Sequence, residues 1–193
     1  MVTGFILAGG QSSRMGCDKA LLPVGSRTLI EIVIERIQSL VEQVVVIGSV
    51  RNVQPLKKQL VHRVLTDLKP DRGPLMGIYT GLMHTKTALN LFVPCDMPWI
   101  ERGLVGLLLS GCRGEVEAAA SRHPLEGIQP FPLICHVKAC RTIGALLDRG
   151  EPSLQSLLHK PRTQLVRIEE HDLWRSFTNV NTLSDYATLT EAT

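Results

Sequence analysis

The segment that decides the fold runs from Thr3 to Leu22 and reads TGFILAGGQSSRMGCDKALL. Its first six residues, 3–8, are mostly apolar and predict a buried strand. Two glycines follow this strand directly, and glycine lets N–H groups of the backbone converge on an anion. Arg14 and Lys19 bring positive charge within reach of the same loop, where arginine can grip phosphate oxygens and lysine acts as a mobile point charge. The segment therefore predicts a loop that holds a triphosphate.

Two better-known phosphate loops do not fit this segment. A Walker A loop requires GxxxxGK[ST], but Gly16 is followed by Cys17, and the GxGxxG fingerprint of dinucleotide-binding proteins is absent. The structural alternative is a glycine-rich turn with solvated basic residues. Two cations at this spacing after an N-terminal strand favour the phosphate-binding interpretation.

Outside this segment, short apolar runs alternate with amphipathic stretches. Strands are predicted at 43–48, 63–66, 90–94, 116–121, 128–136 and 164–168, and helices at 28–40, 55–61, 77–87, 100–111, 137–149 and 153–159, with a final short helix beginning at Asp185. The alternation predicts an α/β fold of three layers, Rossmann-like, with a mostly parallel sheet. Ligands bind such sheets at the carboxyl ends of the strands. We therefore expect the loops after residues 8, 66 and 94 to share one cleft.

Composition limits the classes of function. The 193 residues suit a single domain, 1–193, and aromatic residues make up only 4%, which argues against base-stacking platforms. The formal net charge of +3 is too small to indicate a nucleic-acid binder. No apolar run has the roughly 20 residues that cross a membrane, and no signal peptide is recognisable. The five cysteines include no CxxC pair, so we expect free thiols and a cytoplasmic location.

Two carboxylates follow predicted strands. Asp96, in the run LFVPCDMP at 91–98, suits Mg²⁺, which takes one or two carboxylates together with substrate phosphates. The alternative is a cap for the helix that Pro98 opens. Asp67 precedes the turn GPLMG and can accept hydrogen bonds from guanine or from a ribose hydroxyl, although a simple loop and helix cap would also explain it. Cys95 has no histidine nearby in sequence and is interpreted as a packed neighbour rather than a nucleophile.

The chain resembles the molybdenum cofactor guanylyltransferases of the nucleotidyltransferase superfamily, whose signature reads LAGGxSxRMGxDKxLL. The matching residues are Leu7, Ala8, Gly9, Gly10, Ser12, Arg14, Met15, Gly16, Asp18, Lys19, Leu21 and Leu22. The resemblance extends to Asp185. It implies a nucleotidyltransferase fold and Mg²⁺-dependent transfer of GMP from GTP to molybdopterin, with release of pyrophosphate.

The resemblance also implies roles for individual residues. It implies nucleotide binding by Leu7, Ala8, Gly9, Gly10, Ser12, Arg14, Lys19, Asp67, Gly73, Pro74, Leu75 and Asp96. Arg14 and Lys19 would stabilise the triphosphate and the departing pyrophosphate, and Asp96 would bind the metal. The acceptor-side segments QPFPL at 129–133, GEPSL at 150–154 and NVNTLSD at 179–185 give the acceptor-binding residues Gln129, Pro130, Asn179 and Asn181. The two asparagines are predicted to point the same way from a strand, the alternative being a turn at a strand end. Asp185 is predicted to cap the last helix.

Departures from the family pattern leave alternatives open. Leu183 replaces the usual proline, and Ile47, Gly48 and Ser49 stand where asparagines are common, which leaves the choice of base open. The alternatives are a cytidylyltransferase acting on the same pterin, whose first loop usually reads LAAG, and a sugar-phosphate nucleotidyltransferase, which is usually longer. A non-catalytic nucleotide-binding module is the alternative of another class. Molybdoenzymes or their chaperones could receive the product, but no motif identifies them.

Overall fold

A computed structural model of the chain describes residues 1–9, 18–60, 62–69 and 72–191. The strands are β1 (Val2–Leu7), β2 (Pro23–Val24), β3 (Arg27–Thr28), β4 (Gln43–Gly48), β5 (Arg63–Thr66), β6 (Leu89–Pro94), β7 (Ala118–His123), β8 (Gly127–His136) and β9 (Thr163–Arg167). The α-helices are α1 (Leu29–Gln38), α2 (Val53–Gln59), α3 (Pro74–His84), α4 (Arg102–Gly111), α5 (Ala139–Asp148), α6 (Leu154–Leu158) and α7 (Leu183–Glu191). Short 3₁₀ helices cover Lys19–Leu21 and His171–Phe177.

The described strands build one large sheet in the order β5-β4-β1-β6-β8-β7-β9, and β2 and β3 form a small separate hairpin. Only β8 runs against its neighbours in the large sheet, because β1 pairs in parallel with β4 and β6, and β7 pairs in parallel with β9. The prediction of an α/β fold with a mostly parallel sheet is confirmed. Because β8 is antiparallel, its first residues lie at the edge where the other strands end.

Helices cover both faces of the sheet. Side chains alternate along each strand, so Ile6, Val46 and Val93 pack with α1, α2 and α4, whereas Phe5 and Phe92 pack with α3, α5 and α6. The rings of Phe5 and Phe92 stack with centroids 5.0 Å apart. Helix α3 approaches them at Gly81, where an added Cβ would lie 2.6 Å from the Phe92 ring. The result is the predicted three-layer arrangement. None of the helices in the described part of the chain has the length and apolar character of a membrane span.

Some elements differ from the sequence predictions. The β2–β3 hairpin and both 3₁₀ helices were not predicted, since elements of two to seven residues carry little periodic signal. Helix α3 begins at Pro74, earlier than the predicted 77, because proline is favoured at the first helical position. Gly73 before it has φ 71°, a backbone conformation that favours glycine.

Candidate active site

The loops that follow four parallel strands meet at one edge of the sheet. The Ala8 N–H donates to the Ile47 carbonyl at 2.8 Å, the Cys95 N–H to the Leu7 carbonyl at 3.1 Å, and the Asp67 N–H to the Gly48 carbonyl at 2.9 Å. These hydrogen bonds extend the strand pairing by one residue. They connect the loop after β1 to the ends of β4 and β6, and they connect the loop after β5 to the end of β4. The structure therefore brings together the loops after residues 8, 66 and 94.

Lys19 is the centre of this edge. Its Nζ donates to Asp96 Oδ2 at 2.8 Å and to Asn181 Oδ1 at 2.8 Å. The side chains of Lys19 and Asp96 are only 14% and 21% exposed, so water screens their ion pair less than it screens a surface pair. The lysine opens a 3₁₀ turn that Asp18 caps by accepting from the Ala20 N–H at 3.1 Å. Residues far apart in sequence thus hold one ammonium group in a fixed place.

The segment with the two asparagines is not a strand, contrary to the prediction. Residues 178–182 connect the second 3₁₀ helix to α7 and form no ladder with the sheet. The segment is held instead by buried Val180, whose N–H donates to the Asp96 carbonyl at 2.9 Å. Asn179 and Asn181, on either side of Val180, are both exposed, and Asn181 reaches Lys19. The structure therefore brings Asn181 to the side of the cleft where Lys19 and Asp96 lie.

Asp185 fixes the backbone at Asn181. Its Oδ2 accepts from the N–H groups of Asn181 and Thr182 at 2.8 and 2.7 Å, while the Thr182 Oγ1 accepts from the Asp185 N–H at 3.1 Å. These hydrogen bonds from backbone N–H groups lower the pKa of Asp185 below its ordinary value. This reciprocal pair is a capping box, and it starts α7 at Leu183, two residues before the predicted start.

Asp67 lies on the other side of β1. Its Oδ1 accepts from the Thr80 hydroxyl of α3 at 2.7 Å, and Thr80 Oγ1 accepts from the Leu68 N–H at 3.2 Å. Burial raises the pKa of Asp67 above its ordinary value, although the bonds from Thr80 and from backbone N–H groups oppose the rise. A Cβ at Gly77 would lie 4.0 Å from Asp67 Oδ2. The carboxylate of Asp67 therefore lies close to α3.

Several predicted nucleotide-binding residues can offer only backbone to a ligand. The side chains of Leu7, Ala8 and Leu75 are buried in the core, whereas Gly9 is exposed. A Cβ at Gly73 would lie 3.6 Å from the Pro152 carbonyl oxygen, so the turn before α3 lies beside the turn at 150–153. Gly10, Ser12 and Arg14 lie outside the described residues.

Asn52 is a residue of the site that the sequence analysis missed. It is buried, and its Nδ2 donates to the Ala8 carbonyl at 2.6 Å, while its Oδ1 accepts from the Ser49 hydroxyl at 3.3 Å. A Cβ at Gly48 would lie 2.8 Å from Asn52 Oδ1, so glycine is needed there. The departure at residues 47–49 therefore makes room for a side chain that fixes the loop after β1. Only the S-x-x-N spacing before α2 could have indicated it.

The acceptor-side residues of β8 lie at the same edge of the sheet. Gln129 and Pro130 are half-buried near the start of β8, which pairs with β6 further along the strand. The Gln129 Nε2 donates to Glu126 Oε2 at 3.2 Å. Both residues thus lie beside the strand that leads to Asp96, and within the described part of the chain neither forms a hydrogen bond with Lys19.

The donor set at Asp96 fits a cation that is shared with substrate phosphates. Among the described residues no group of three or more His, Cys, Asp or Glu could hold a metal ion by itself. Mg²⁺ usually takes one or two protein carboxylates and completes its shell with phosphates and water. Lys19 occupies Asp96 Oδ2, and in the described part of the chain Asp18 Oδ2 is buried without a hydrogen-bond partner. Asp18 directly precedes Lys19 in the chain, so its carboxylate is a second candidate ligand.

Cys95 stays protonated beside these carboxylates. Burial raises the pKa of its thiol far above the usual range, and the charges of Asp96 and Asp18 raise it further. A thiol without thiolate character is a poor nucleophile. The geometry agrees with the interpretation of Cys95 as a packed neighbour.

Comparison with known proteins agrees with this geometry. The family model of the MobA-like NTP transferase domain matches residues 4–167. A probable molybdenum cofactor guanylyltransferase of Flavobacterium johnsoniae is 33% identical over 95% of this chain and 94% of its own length. A molybdenum cofactor guanylyltransferase of Yersinia pestis is 35% identical over 95% of this chain and 92% of its own length.

Solved structures share the fold. Molybdopterin-guanine dinucleotide biosynthesis protein A from Archaeoglobus fulgidus superimposes with a TM-score of 0.83 at 21% identity, over 98% of this chain and 97% of that chain. The 4-diphosphocytidyl-2C-methyl-D-erythritol synthase from Anaerococcus prevotii superimposes with a TM-score of 0.72 at 12% identity, over 100% of this chain and 97% of that chain. These likenesses concern the fold alone. With the family model and the relatives in sequence, they confirm the resemblance to the molybdenum cofactor guanylyltransferases, and the chain belongs to the MobA-like NTP transferase family of nucleotidyltransferases.

Proposed function

We propose that this nucleotidyltransferase transfers GMP from GTP to molybdopterin, in a Mg²⁺-dependent reaction that releases pyrophosphate and forms the guanine dinucleotide cofactor. The observation that carries the proposal is the Lys19 ammonium, held 2.8 Å from both Asp96 and Asn181 where the parallel strands end. Relatives named as molybdenum cofactor guanylyltransferases, 33% and 35% identical over 95% of the chain, support the choice of substrates.

In the proposed reaction an oxygen of the acceptor phosphate attacks the α-phosphorus of GTP. The new bond joins that oxygen to the α-phosphorus, and the bond to the bridging oxygen of the β-phosphate breaks, so that pyrophosphate leaves with the electron pair. Catalysis of this kind rests on positioning and on stabilisation of charge. No protein nucleophile is required, which agrees with a Cys95 thiol that stays protonated.

Lys19 can contribute to that charge stabilisation without leaving its partners. An ammonium group has three N–H donors, and Asp96 and Asn181 accept from two of them. The third is available for a phosphate oxygen. We propose that Lys19 and Arg14 neutralise the triphosphate and the departing pyrophosphate, and that Gly10 and Ser12 bind phosphate in the same loop.

Asp96 and Asp18 are the residues proposed to hold Mg²⁺. Lys19 occupies one oxygen of Asp96, and the other oxygen accepts no side-chain or backbone hydrogen bond from the residues that the structure describes. When bound, the metal ion supplies further positive charge to the phosphate oxygens. Asp96 would then orient the triphosphate against the ammonium of Lys19.

GTP is proposed to bind between the loop after β1 and the turn before α3. Asp67 would accept hydrogen bonds from the guanine N1–H and N2–H₂ groups or from the ribose, while Leu7, Ala8, Gly9, Gly73, Pro74 and Leu75 would contribute backbone groups. Acceptor binding is proposed for Gln129, Pro130, Asn179 and Asn181, nearer β8. The odd number of cysteines without CxxC spacing also favours a cytoplasmic location with reduced thiols.

Pyrophosphate release in the presence of molybdopterin tests the proposal, with GTP, CTP, ATP and UTP compared in parallel. We expect a preference for GTP of about tenfold or more, which corresponds to about 1.4 kcal/mol in transition-state stabilisation. Removal of Mg²⁺ with EDTA should abolish turnover, and added Mg²⁺ should restore it. A preference for CTP would overturn the guanine assignment.

The variant Asp96→Ala separates an enzyme from a non-catalytic binding module. In an enzyme it should abolish Mg²⁺-dependent turnover. Glu101→Ala, an exposed carboxylate at the start of α4, is the matched control and should keep the activity. If wild-type protein binds nucleotide but shows no turnover with any NTP and molybdopterin, the proposed reaction is wrong.

A further inference from the structure

A buried hydroxyl group on α3 contacts the loop that carries Asp67. Thr80 has no exposed surface, and its neighbours Ile78 and Leu82 on the same helix pack into the apolar core. A hydroxyl in such surroundings lowers stability unless it is hydrogen-bonded. Valine has nearly the same shape without the polar group. The hydroxyl at position 80 therefore needs a reason other than packing.

The Thr80 hydroxyl is hydrogen-bonded on both its donor and its acceptor side. Two acceptors are within reach of its proton, Asp67 Oδ1 at 2.7 Å and the Met76 carbonyl oxygen at 2.9 Å. Its oxygen accepts from the Leu68 N–H at 3.2 Å. A hydroxyl has only one proton to donate. Because a hydrogen bond to an ionised carboxylate is stronger than one to a neutral carbonyl, the proton goes to Asp67 while that carboxylate is ionised.

This hydrogen bond affects both the charge and the orientation of Asp67. Burial raises the pKa of the carboxyl group, and the strongest opposing contribution comes from the Thr80 hydroxyl, followed by the N–H groups of Leu68 and Lys69. Thr80 also fixes the position of Oδ1, because it belongs to a helix that is packed in the core.

Charged side chains do not take over this role in the described part of the chain. His84 Nδ1 lies 2.8 Å from the Thr80 carbonyl oxygen and donates to it whether the ring is neutral or protonated. Tyr79 of α3 lies against Gly144 of α5. None of the side chains of the other ionisable residues around Asp67 bonds to it, and these residues are the exposed Arg51, Lys69, Arg72 and Glu151.

Only the ionised form of Asp67 suits a ligand that offers hydrogen-bond donors. An ionised carboxylate accepts at both oxygens, whereas a protonated one carries an O–H group that would face those donors. On the proposed function, the partners of Asp67 are the N–H groups of guanine or a hydroxyl of the ribose, and all of these donate. Whatever keeps Asp67 ionised and oriented therefore acts on nucleotide binding.

We propose that Thr80 is a positioning residue for nucleotide binding, whose hydroxyl holds the Asp67 carboxylate as the acceptor for a donor group of GTP. The inference rests on the proposed function, because it requires contact between Asp67 and the nucleotide. Thr80 itself is buried and acts through Asp67 rather than on GTP.

GTP affinity as a function of pH tests this role, with Mg²⁺ and GTP titrated calorimetrically into wild type, Thr80→Val and Thr80→Ser. Loss of the hydroxyl raises the pKa of Asp67 further, so the carboxylate of Thr80→Val becomes protonated at a higher pH. We expect this variant to bind GTP about tenfold more weakly than wild type at pH 6, since a hydrogen bond to a charged group is lost, and the difference should narrow towards pH 8. Thr80→Ser should bind GTP as wild type does, because it keeps the hydroxyl.

Thr3→Val is the matched control. Thr3 is equally buried and its hydroxyl oxygen accepts from Thr87 at 2.9 Å, but it lies at the amino end of β1, away from the cleft. It should keep the GTP affinity of wild type at every pH. Thermal melting shows which variants fold, and Thr80→Ala is a second variant without the hydroxyl. A ratio of variant to wild-type affinity that stays constant from pH 6 to pH 8 would overturn the proposal.

Carbon-13 NMR of the Asp67 carboxyl group gives a readout that needs no nucleotide, and Asp67→Asn identifies its signal. The group should titrate at a higher pH in Thr80→Val than in wild type. Titration at the same pH in both proteins would overturn the proposal, whatever happens to GTP binding. A shifted titration that GTP affinity does not follow would also overturn it, because Asp67 would then not contact the nucleotide.

Nucleotide analogues distinguish the two sources of the donor group. The effect of Thr80→Val should shrink with ITP, which lacks the 2-amino group, if Asp67 binds guanine, and with 2′-deoxy-GTP or 3′-deoxy-GTP if it binds the ribose. An equal effect with all three analogues would contradict the proposed contact. Absence of GMP transfer by wild-type protein would overturn the proposed function, while GTP binding and the carboxyl titration still decide on Thr80.

Discussion

At the scale of single residues, the site depends on how one ammonium group is held. Lys19 has a carboxylate on one side and an amide oxygen on the other, each at 2.8 Å. The carboxylate of Asp96 attracts the ammonium by its charge, whereas the amide of Asn181 orients the ammonium without adding a second negative charge. Removing either partner should therefore have different consequences. The carboxylate is needed for the ion pair and the proposed metal, whereas the amide sets where the ammonium points.

Asn181→Ala should lower kcat by about tenfold, because a hydrogen bond to a charged group contributes about 1.5–3 kcal/mol and this one is partly exposed. The KM for GTP and the KM for the acceptor should change less than twofold if Asn181 positions Lys19. Thr178→Ala, an exposed polar residue two positions before buried Val180, is the matched control and should keep kcat. A rise in the acceptor KM with unchanged kcat would mean that Asn181 contacts the acceptor instead.

Asp67 gives a prediction about stability and pH. Burial raises its pKa in the folded protein above the ordinary value of 3.8. Ionisation of Asp67 therefore lowers the free energy of unfolding. The contribution of Asp67 to that free energy is greatest below its pKa in the unfolded chain, and it decreases as the pH rises through its higher pKa in the folded protein. Asp67→Asn, which keeps an oxygen for the Thr80 hydroxyl, should melt at a higher temperature than wild type at pH 7. The difference should shrink as the pH falls towards 4. A wild type that melts above the variant at pH 7 would contradict this account.

At the scale of elements, glycines decide how closely helices approach the sheet. Helix α3 lies against the stacked rings of Phe5 and Phe92 because Gly81 has no side chain, and a Cβ there would lie 2.6 Å from the Phe92 ring. In α4, by contrast, a Cβ at Gly106 would meet nothing within 4 Å. Packing therefore requires glycine at position 81, whereas it places no such demand at position 106.

Gly81→Ala should therefore destabilise the protein by about 1–3 kcal/mol, since the core must shift to admit a methyl group. Gly106→Ala should stabilise it by up to about 1 kcal/mol, because alanine favours the helix and loses less backbone entropy on folding. Urea unfolding measures both free energies. Equal effects of the two substitutions would show that helix propensity, rather than packing against Phe92, sets the cost.

The elements that could be predicted from the sequence are those with a strong local signal. The predicted strands 43–48 and 63–66 have the bounds that the structure gives, because β-branched apolar runs need no distant partner to be recognised. The pairing of β2 with β3 has only two residues on each side, too few for a period. The contact between Lys19 and Asn181 spans 162 residues and depends on where the chain returns after β9. Local patterns contain no information about such a return.

At the scale of the whole molecule, one sheet joins two halves of the chain: strands β5, β4, β1 and β6 on one side of β8, and strands β7 and β9 on the other. Strand β8 pairs with β6 on one side and with β7 on the other, so no gap in backbone hydrogen bonding separates the halves in the described part of the chain. The 3₁₀ helix at 171–177 and the segment after it then cross back to Asp96 through the Val180 N–H. The two halves are therefore linked twice.

We accordingly expect one cooperative unfolding transition, as for a single domain over residues 1–193. Trp99 packs in a cluster with Leu29 and Val180, and Trp174 packs against His123 beside β7, so the two tryptophans report on different parts. Unfolding followed by fluorescence of Trp99→Phe and Trp174→Phe should coincide with unfolding followed by circular dichroism. Two separate midpoints would show that the halves unfold independently.

The segment that Val180 ties to Asp96 is the last part of the site to be synthesised. A ribosome makes Lys19 early, Asp96 midway and Asn181 only after every strand of the sheet. A nascent chain that has already formed its sheet thus has a lysine with one of its two acceptors. A chain that ends after β9 because of a premature stop codon would likewise have every strand of the sheet. It would lack the amide of Asn181 that accepts a hydrogen bond from the Lys19 ammonium. On the proposed function, we expect such a fragment to bind nucleotide but to show little turnover.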